Sequence, residues 1–195
     1  MINATSISLS DGVVTLRPPS ETDAPAIYQA VIESLEELKP WTSWAHDNYS
    51  IAETLEWLRK LPANWTEGSH YGFLITAARN NAVLGGCGLS IVSGAYRIAN
   101  LGYWVRTHRR GEGIAPRAAL LLAHFAVENL SLVRVEISVA DGNLASLRVA
   151  EKIGAAREGL LRNRIHAGGR LHDAWMHSLT PEDFSVIARG EVNHL

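Results

Sequence analysis

The chain has 195 residues, 47% of them hydrophobic, which is enough to bury a full core as one domain over residues 1–195. Its formal net charge of −2, with both signs interspersed, argues against a dedicated nucleic-acid-binding or membrane-surface protein. One cysteine excludes an internal disulfide framework, and the absence of a signal peptide or a long apolar run leads us to expect a cytoplasmic protein.

The first third of the chain predicts one strand and two helices. Residues 13–17 alternate as a short strand that Pro18 ends. A helix is predicted over residues 24–31, after acidic and hydroxyl residues suited to its N-terminus. A second helix is predicted from Ser50, where the sequence has the spacing of a capping box, and Pro62 is expected to stop it.

The middle of the chain changes to a strand period. Residues 71–77, 83–92 and 98–105 predict three strands joined by short turns, which indicates an antiparallel meander. A helix over 116–129 and a β-branched strand over 132–139 follow. Strand, helix and strand form a crossover, so the strands on either side of this helix are expected to be parallel neighbours.

The last part predicts a helix over 144–153 and a hairpin. Two strands near 158–165 and 170–178 meet at a turn over residues 166–169, and a short helix is expected from Pro181. Together these elements predict an α+β fold of three layers, α/β/α, with a core at about residues 13–179. Its sheet is mixed and mostly antiparallel, with helices on both faces.

The loop between the third meander strand and the next helix has the composition of an anion site. Its residues are Arg110, Gly111, Glu112, Gly113, Ile114 and Ala115. The glycines let the backbone approach an anion, and the helix N-terminus favours a phosphate or pyrophosphate there. A dinucleotide site is an alternative, but the full glycine fingerprint is missing and three antiparallel strands precede the loop.

Three motifs make the chain resemble the GCN5-related N-acetyltransferase (GNAT) superfamily, and within it the ribosomal-protein-alanine (RimJ/RimL-like) branch. The first, RGEGIA, matches the family's Gln/Arg-x-x-Gly-x-Gly/Ala loop, and the second, GYWV at 102–105, directly precedes it. The third, NLASLRVAEKIG at 143–154, looks like the branch's Asn-x-x-Ser helix, although Ala155 replaces the usual aromatic residue. The resemblance covers about residues 13–179.

The resemblance implies that acetyl-CoA is the cosubstrate. Its pyrophosphate would lie on the RGEGIA loop, and its pantetheine would enter a gap between two splayed central parallel strands, against the backbone of Trp104 and Val105. Asn143 and Ser146 would face the same cleft, with Ser146 as the acid for the departing thiolate. Helix capping is the alternative interpretation of both residues. The eight histidines lack ligand spacing, so we expect no metal.

The general base is the least defined part of the predicted site. Relatives carry glutamate where this chain has Asn100, and a further proposed base falls near Ile165. Glu136 is the remaining candidate, on a predicted strand that places it on the same face as Ser138. A structural ion pair with a neighbouring arginine is an equally strong interpretation of Glu136. A bound water is another candidate, because an α-amine with a pKa near about 8 is partly neutral at pH 7.

The predicted acceptor wall consists of Tyr28, Trp41 and Trp44, which core packing would also explain. We expect direct transfer through a ternary complex to a primary amine, and the resemblance favours the N-terminal α-amine of a peptide or protein. A small-molecule amine, such as an amino-acid derivative, an antibiotic or a polyamine, is the alternative, as is a non-catalytic acyl-CoA-binding sensor. A polyamine site would need clustered carboxylates, for which residues 47–56 are the candidate. The assembly is expected to be a monomer or homodimer.

Overall fold

An eight-stranded sheet organises the computed structural model, which describes residues 7–188. The strands are β1 (Leu9–Ser10), β2 (Val14–Arg17), β3 (His70–Ala77), β4 (Val83–Ser93), β5 (Ile98–Val105), β6 (Arg134–Ala140), β7 (Ala156–Ala167) and β8 (Arg170–Leu179). Their order across the sheet is β1-β2-β3-β4-β5-β6-β8-β7. The β5–β6 pair is parallel and the other neighbours are antiparallel, which confirms the predicted mixed sheet.

Helices cover both faces of this sheet, as the sequence predicts. They are α1 (Ala24–Ile32), α2 (Leu35–Leu38), α3 (Ile51–Glu67), α4 (Ile114–Glu128), α5 (Leu144–Lys152) and α6 (Pro181–Ala188). Gly72 and Phe73 are consecutive in β3 and therefore point to opposite faces. Leu61 of α3 lies against Gly72, whereas Phe125 of α4 contacts Phe73 with ring centroids 5.4 Å apart. The three-layer α+β architecture is thereby confirmed.

The parallel strands β5 and β6 stay together for only three residues. The paired positions are Ile98 with Arg134, Ala99 with Val135 and Asn100 with Glu136. Beyond that point β4 still pairs with β5, and β8 still pairs with β6. The sheet therefore opens into a gap between β5 and β6. On one side of the gap β5 stays paired with β4, and on the other side β6 stays paired with β8.

The prediction that Pro62 ends the second helix was wrong. Helix α3 continues through Pro62 to Glu67 and closes at Gly68, which has a left-handed backbone (φ +69°). Proline inside a helix costs about 3 kcal/mol because it removes a hydrogen bond and crowds the preceding turn. Here the apolar stripe continues past it with Leu61 and Trp65, both buried in the core. Burial of two large side chains offsets a cost of that size.

Other differences from the sequence prediction concern short elements and element ends. Strand β1 and helix α2 were not predicted, because two and four residues are too short to show a period. Helix α4 begins two residues earlier than expected, and β7 is longer than expected at both ends. Within residues 7–188, no helix has the length and apolarity needed to cross a membrane.

Candidate active site

The turn between β5 and α4 presents backbone N–H groups to open space. Gly111 and Gly113 have left-handed backbones (φ +81° and +74°), a conformation that favours glycine. Gly113 is the N-cap of α4, and no side chain caps this helix. In the described part of the chain, no heavy atom lies within 4 Å of the position that a Cβ on Gly111 would occupy. The first turn of α4 is therefore open to an anion, since its N–H groups have no partner inside the helix.

Two arginines beside this turn are engaged by carboxylates. Arg109 Nη2 lies 2.6 Å from Glu112 Oε2, and Arg110 Nη1 lies 2.6 Å from Glu37 Oε2 on α2. The Arg110–Glu37 pair is about half exposed, and exposed pairs contribute little to stability. Replacement of the Glu37 carboxylate by a phosphate as the partner of Arg110 would therefore cost little free energy. Phosphate binding by Arg110 stays a prediction.

The gap between β5 and β6 places backbone groups of β5 next to this turn. Trp104 and Val105 pair with Gly86 and Gly85 of β4, but their other edge faces the gap beyond the last β5–β6 pair. Unpaired strand groups accept an extended ligand with amide groups as a further strand. The predicted pantetheine contacts of Trp104 and Val105 are compatible with this geometry.

On the sheet face opposite the Trp104 side chain, a pair of hydroxyl groups links β5 to α5. Tyr103 Oη lies 2.9 Å from Ser146 Oγ, and the Tyr103 hydroxyl also donates to the backbone oxygen of Ser146 at 3.2 Å. Burial raises the pKa of Tyr103 to about 12, so this phenol keeps its proton near neutral pH. Asn143 Oδ1 accepts from the N–H of Ser146, which is the capping role that the sequence also allowed. The sequence placed Tyr103 in a motif without assigning it chemistry.

Glu136 forms the ion pair that was the alternative to a role as base. Arg134 Nε donates to its carboxylate at 2.9 Å, and the same arginine donates to Glu158 of β7 at 2.6 Å. Glu136 and Ser138 do lie on one face, as predicted, because their partners Ser178 and Met176 alternate with them in the register. The base role of Glu136 stays a prediction.

An aromatic cluster extends over the face that carries α1 and α3. Tyr28 stacks on Tyr49 with centroids 6.3 Å apart, and Trp44 contacts the same tyrosine edge-on at 5.9 Å. Trp44 also lies 6.1 Å from Trp104 of β5. Two of the three predicted acceptor residues are thus connected, through one cluster, to the strand that borders the gap.

The third predicted acceptor residue lies on the far side of the gap. Trp41 contacts His172 of β8 with centroids 5.9 Å apart. Beside it, the segment between α2 and α3 faces the β7–β8 hairpin across a cavity of about 350 Å³. The cavity is lined by Lys39, Thr42, His46, Asp47, His166 and Gly168. An acceptor entering between these segments would pass the Trp41–His172 contact.

Glycines make this face of the sheet unusually open. The antiparallel register brings four of them together on one face: Gly72, Gly86, Gly88 and Gly102. The Trp104 indole covers Gly86, with Nε1 2.8 Å from the position of a Cβ there, and the His70 ring covers Gly88. No heavy atom lies within 4 Å of the Cβ position at Gly102. His70 was not predicted; alternating glycines in β4 were the available signal, but only the register shows which residues share their face.

Metal and thiol chemistry find no support in the described part of the chain. No group of three or more His, Cys, Asp or Glu side chains gathers within residues 7–188. Cys87 is buried, and burial raises the pKa of its thiol. A protonated thiol in an apolar site is a weak nucleophile.

Comparison with known proteins identifies relatives with this architecture. Residues 14–156 match the model of the acetyltransferase (GNAT) domain family. The chain is 29% identical over 177 residues to YdaF of Bacillus subtilis (strain 168), provisionally assigned as a ribosomal N-acetyltransferase. The match covers 88% of this chain and 93% of YdaF.

Two solved structures share the fold at lower identity. RimJ of Mycobacterium smegmatis, in complex with a CoA disulfide, is 24% identical with a TM-score of 0.84, covering 97% of this chain and 98% of RimJ. The microcin C7 self-immunity acetyltransferase MccE, in complex with acetyl-CoA and AMP, is 19% identical with a TM-score of 0.79. The match covers 88% of this chain and 93% of the MccE chain.

Proposed function

The chain belongs to the GNAT acetyltransferase family and uses acetyl-CoA, and we propose that its acceptor is the N-terminal α-amine of a peptide or protein. The uncapped turn at Gly111–Gly113 beside the gap between β5 and β6 supports donor binding, and the aromatic cluster that reaches Trp104 at this gap carries the acceptor proposal. Pyrophosphate on the turn and pantetheine in the gap would direct the thioester toward the aromatic cluster. The arrangement supports transfer within a ternary complex, because an acceptor can reach the same gap from the other side.

Charge pairing near the aromatic cluster favours a peptide over a polyamine. The carboxylates that would attract a polycation lie beside basic side chains, which keeps this region from being strongly negative: Lys39 pairs with Asp47, and His46 pairs with Glu53. Next on α3, Glu56 pairs with Lys60. What remains around Trp44 is aromatic and partly exposed surface, which suits the first residues of a peptide. YdaF, which carries the name of a ribosomal N-acetyltransferase, supports the same acceptor class.

The proposed reaction forms a C–N bond and breaks a C–S bond. The neutral amine attacks the thioester carbonyl carbon while a backbone N–H of Trp104 or Val105 polarises the carbonyl oxygen. The amine then loses a proton, and the departing CoA thiolate gains one. Tyr103 and Ser146 are the proposed source of the second proton, because their hydroxyls are hydrogen-bonded and lie on β5 and on the facing helix.

An acetyl-transfer screen, read by thiol release from acetyl-CoA, tests the proposal. The panel contains peptides with free N-termini, the same peptides with blocked N-termini, spermidine and small amino-acid amides. We expect turnover with free N-terminal peptides and none with the blocked ones. Turnover confined to spermidine or small amines would contradict the peptide assignment. CoA binding without any turnover would favour a non-catalytic acyl-CoA sensor.

A further inference from the structure

His70 lies at the first position of β3, on the sheet face that carries the aromatic cluster. Its Nδ1 is 3.0 Å from Ser90 Oγ of β4. The other end of the ring extends over the glycines of the two strands, so that a Cβ on Gly88 would lie 3.1 Å from Nε2 and one on Gly72 3.3 Å from it. Within residues 7–188, Nε2 has no hydrogen-bond partner. The imidazole is therefore fixed at one nitrogen and free at the other.

The free nitrogen lies over Gly72 and Gly88, one strand away from Gly102 of β5. Gly88, beneath the ring, pairs directly with Gly102 of β5, which lies beyond the last residue that β6 holds. Among residues 7–188, no heavy atom lies within 4 Å of a Cβ position at Gly102, and Trp104, two residues further along β5, is on the same face. Opposed residues of antiparallel strands share a face, so His70, the empty space and Trp104 are on the same side of the sheet.

The other polar groups in the same row cannot take a proton near neutral pH or are already engaged. The register aligns His70, Ser90, Asn100 and Glu136 across four strands. Serine and asparagine are not bases in this range, and Glu136 is held by Arg134.

We propose that His70 accepts the proton that the acceptor amine loses, directly or through one bound water, when the amine occupies the space above Gly102. This inference rests on the proposed function. The amine nitrogen bonds to the acetyl carbon, its proton moves to His70 Nε2, and the C–S bond breaks with proton delivery to the thiolate from the Tyr103–Ser146 side. His70 then releases its proton to solvent, and the Tyr103–Ser146 pair regains one from solvent. Ser90 Oγ orients the ring by accepting from Nδ1–H, which leaves the lone pair on Nε2.

The surroundings of His70 keep it neutral and able to act as a base. Burial lowers the pKa of His70 below the ordinary histidine value, and no charged side chain counteracts it. The elements packed against the ring contribute Trp57 and Leu61 from α3 and Ser90 from β4, all uncharged. Along the row, the charged Arg134–Glu136 pair lies beyond β4 and β5.

The decisive variant is His70→Asn. Asparagine reaches the position of Nδ1 and keeps a hydrogen bond to Ser90, but it has nothing in place of Nε2. We expect kcat to fall by about 100-fold or more, as for loss of a general base, with the KM for acetyl-CoA unchanged. Native kcat should rise with pH through an inflection below about 6.5, and His70→Asn should lose that inflection. Ser90→Ala, which only frees the ring, should lower kcat less.

Two outcomes separate the possibilities. A His70→Asn enzyme within about threefold of native, with the native pH inflection, would overturn the role of His70 while leaving the proposed function standing. No turnover by the native protein with any amine would overturn the proposed function itself, and the role of His70 with it. CoA affinity by calorimetry checks that each variant is folded, and His70→Gln replaces His70→Asn if that variant fails the check.

Discussion

Tyr103 carries its hydroxyl from β5 to α5, where Ser146 is its partner at 2.9 Å. Burial raises the pKa of Tyr103 to about 12, so its hydroxyl stays protonated, and able to donate to the departing thiolate, from pH 6 to 9. Tyr103→Phe keeps the ring and removes the hydroxyl. We expect kcat to fall about tenfold to 100-fold, by a similar factor from pH 6 to 9, because the native phenol keeps its proton throughout that range.

The matched control for Tyr103→Phe is Tyr96→Phe, which removes the same atom from an exposed turn. It should leave kcat unchanged at every pH. A kcat of Tyr103→Phe within about threefold of native from pH 6 to 9 would mean that the hydroxyl does not supply the proton.

At the scale of single residues, the sequence predicted the backbone conformation of site residues better than their side-chain contacts. Glycines 111 and 113 have the left-handed backbone that their place in the motif suggests. Glu136 and His70 show the limit, because the role of each depends on side chains distant in the chain. Arg134 engages Glu136, and Ser90 orients His70. Contacts across strands depend on the pairing register. A single sequence specifies that register only weakly where glycines remove the alternation of apolar and polar side chains.

At the scale of elements, the meander and the strand–helix–strand crossover could be predicted because their periods are long and their turns short. Helix α3 could not be bounded from its sequence, because Pro62 is a local breaking signal and the burial of Leu61 and Trp65 is a tertiary one. The gap between β5 and β6 was expected from the family resemblance alone. No local pattern marks residue 100 as the last paired position.

The strand–turn–helix unit from β5 to α4 supports a prediction about donor binding. Gly113→Asp and Gly113→Asn introduce side chains of nearly equal size at a left-handed position, and they differ in charge. Both variants should be destabilised by part of the roughly 1–2 kcal/mol that a left-handed backbone conformation costs a residue with a Cβ. Asn tolerates this conformation better than most residues. A negative charge at the helix N-terminus beside a pyrophosphate should weaken CoA binding much further. We expect Gly113→Asp to abolish CoA binding and Gly113→Asn to retain part of it.

Calorimetric titration of CoA into both proteins measures this difference. Gly94→Asp provides the control, since Gly94 lies in a turn with no heavy atom within 4 Å of its Cβ position. Equal affinities for the two Gly113 variants would contradict a pyrophosphate at this turn.

At the scale of the whole molecule, one charge network joins the strands beyond the gap. Arg134 of β6 reaches Glu158 of β7, and Ser178 of the intervening β8 donates to the same carboxylate at 2.7 Å. The network ties together the half of the sheet that only three residue pairs connect to β5. Its loss should therefore loosen β6, β7 and β8 as a unit.

Acid should reveal this network, since the hydrogen bonds from Arg134 lower the pKa of Glu158 to about 2. A carboxylate whose folded pKa lies below its unfolded value of about 4.3 stabilises the fold above that value, and this stability is lost as the pH falls toward about 2. The Glu158 side chain is 40% exposed, so solvent screening keeps the effect modest. We expect Glu158→Gln to be less stable than native at pH 7 and to approach native stability as the pH falls below about 4.3. Denaturant unfolding across this pH series measures the difference.

The control is Glu56→Gln, which removes an exposed pair on α3 and should change stability little. Parallel native and Glu158→Gln curves would show that the network does not couple to folding.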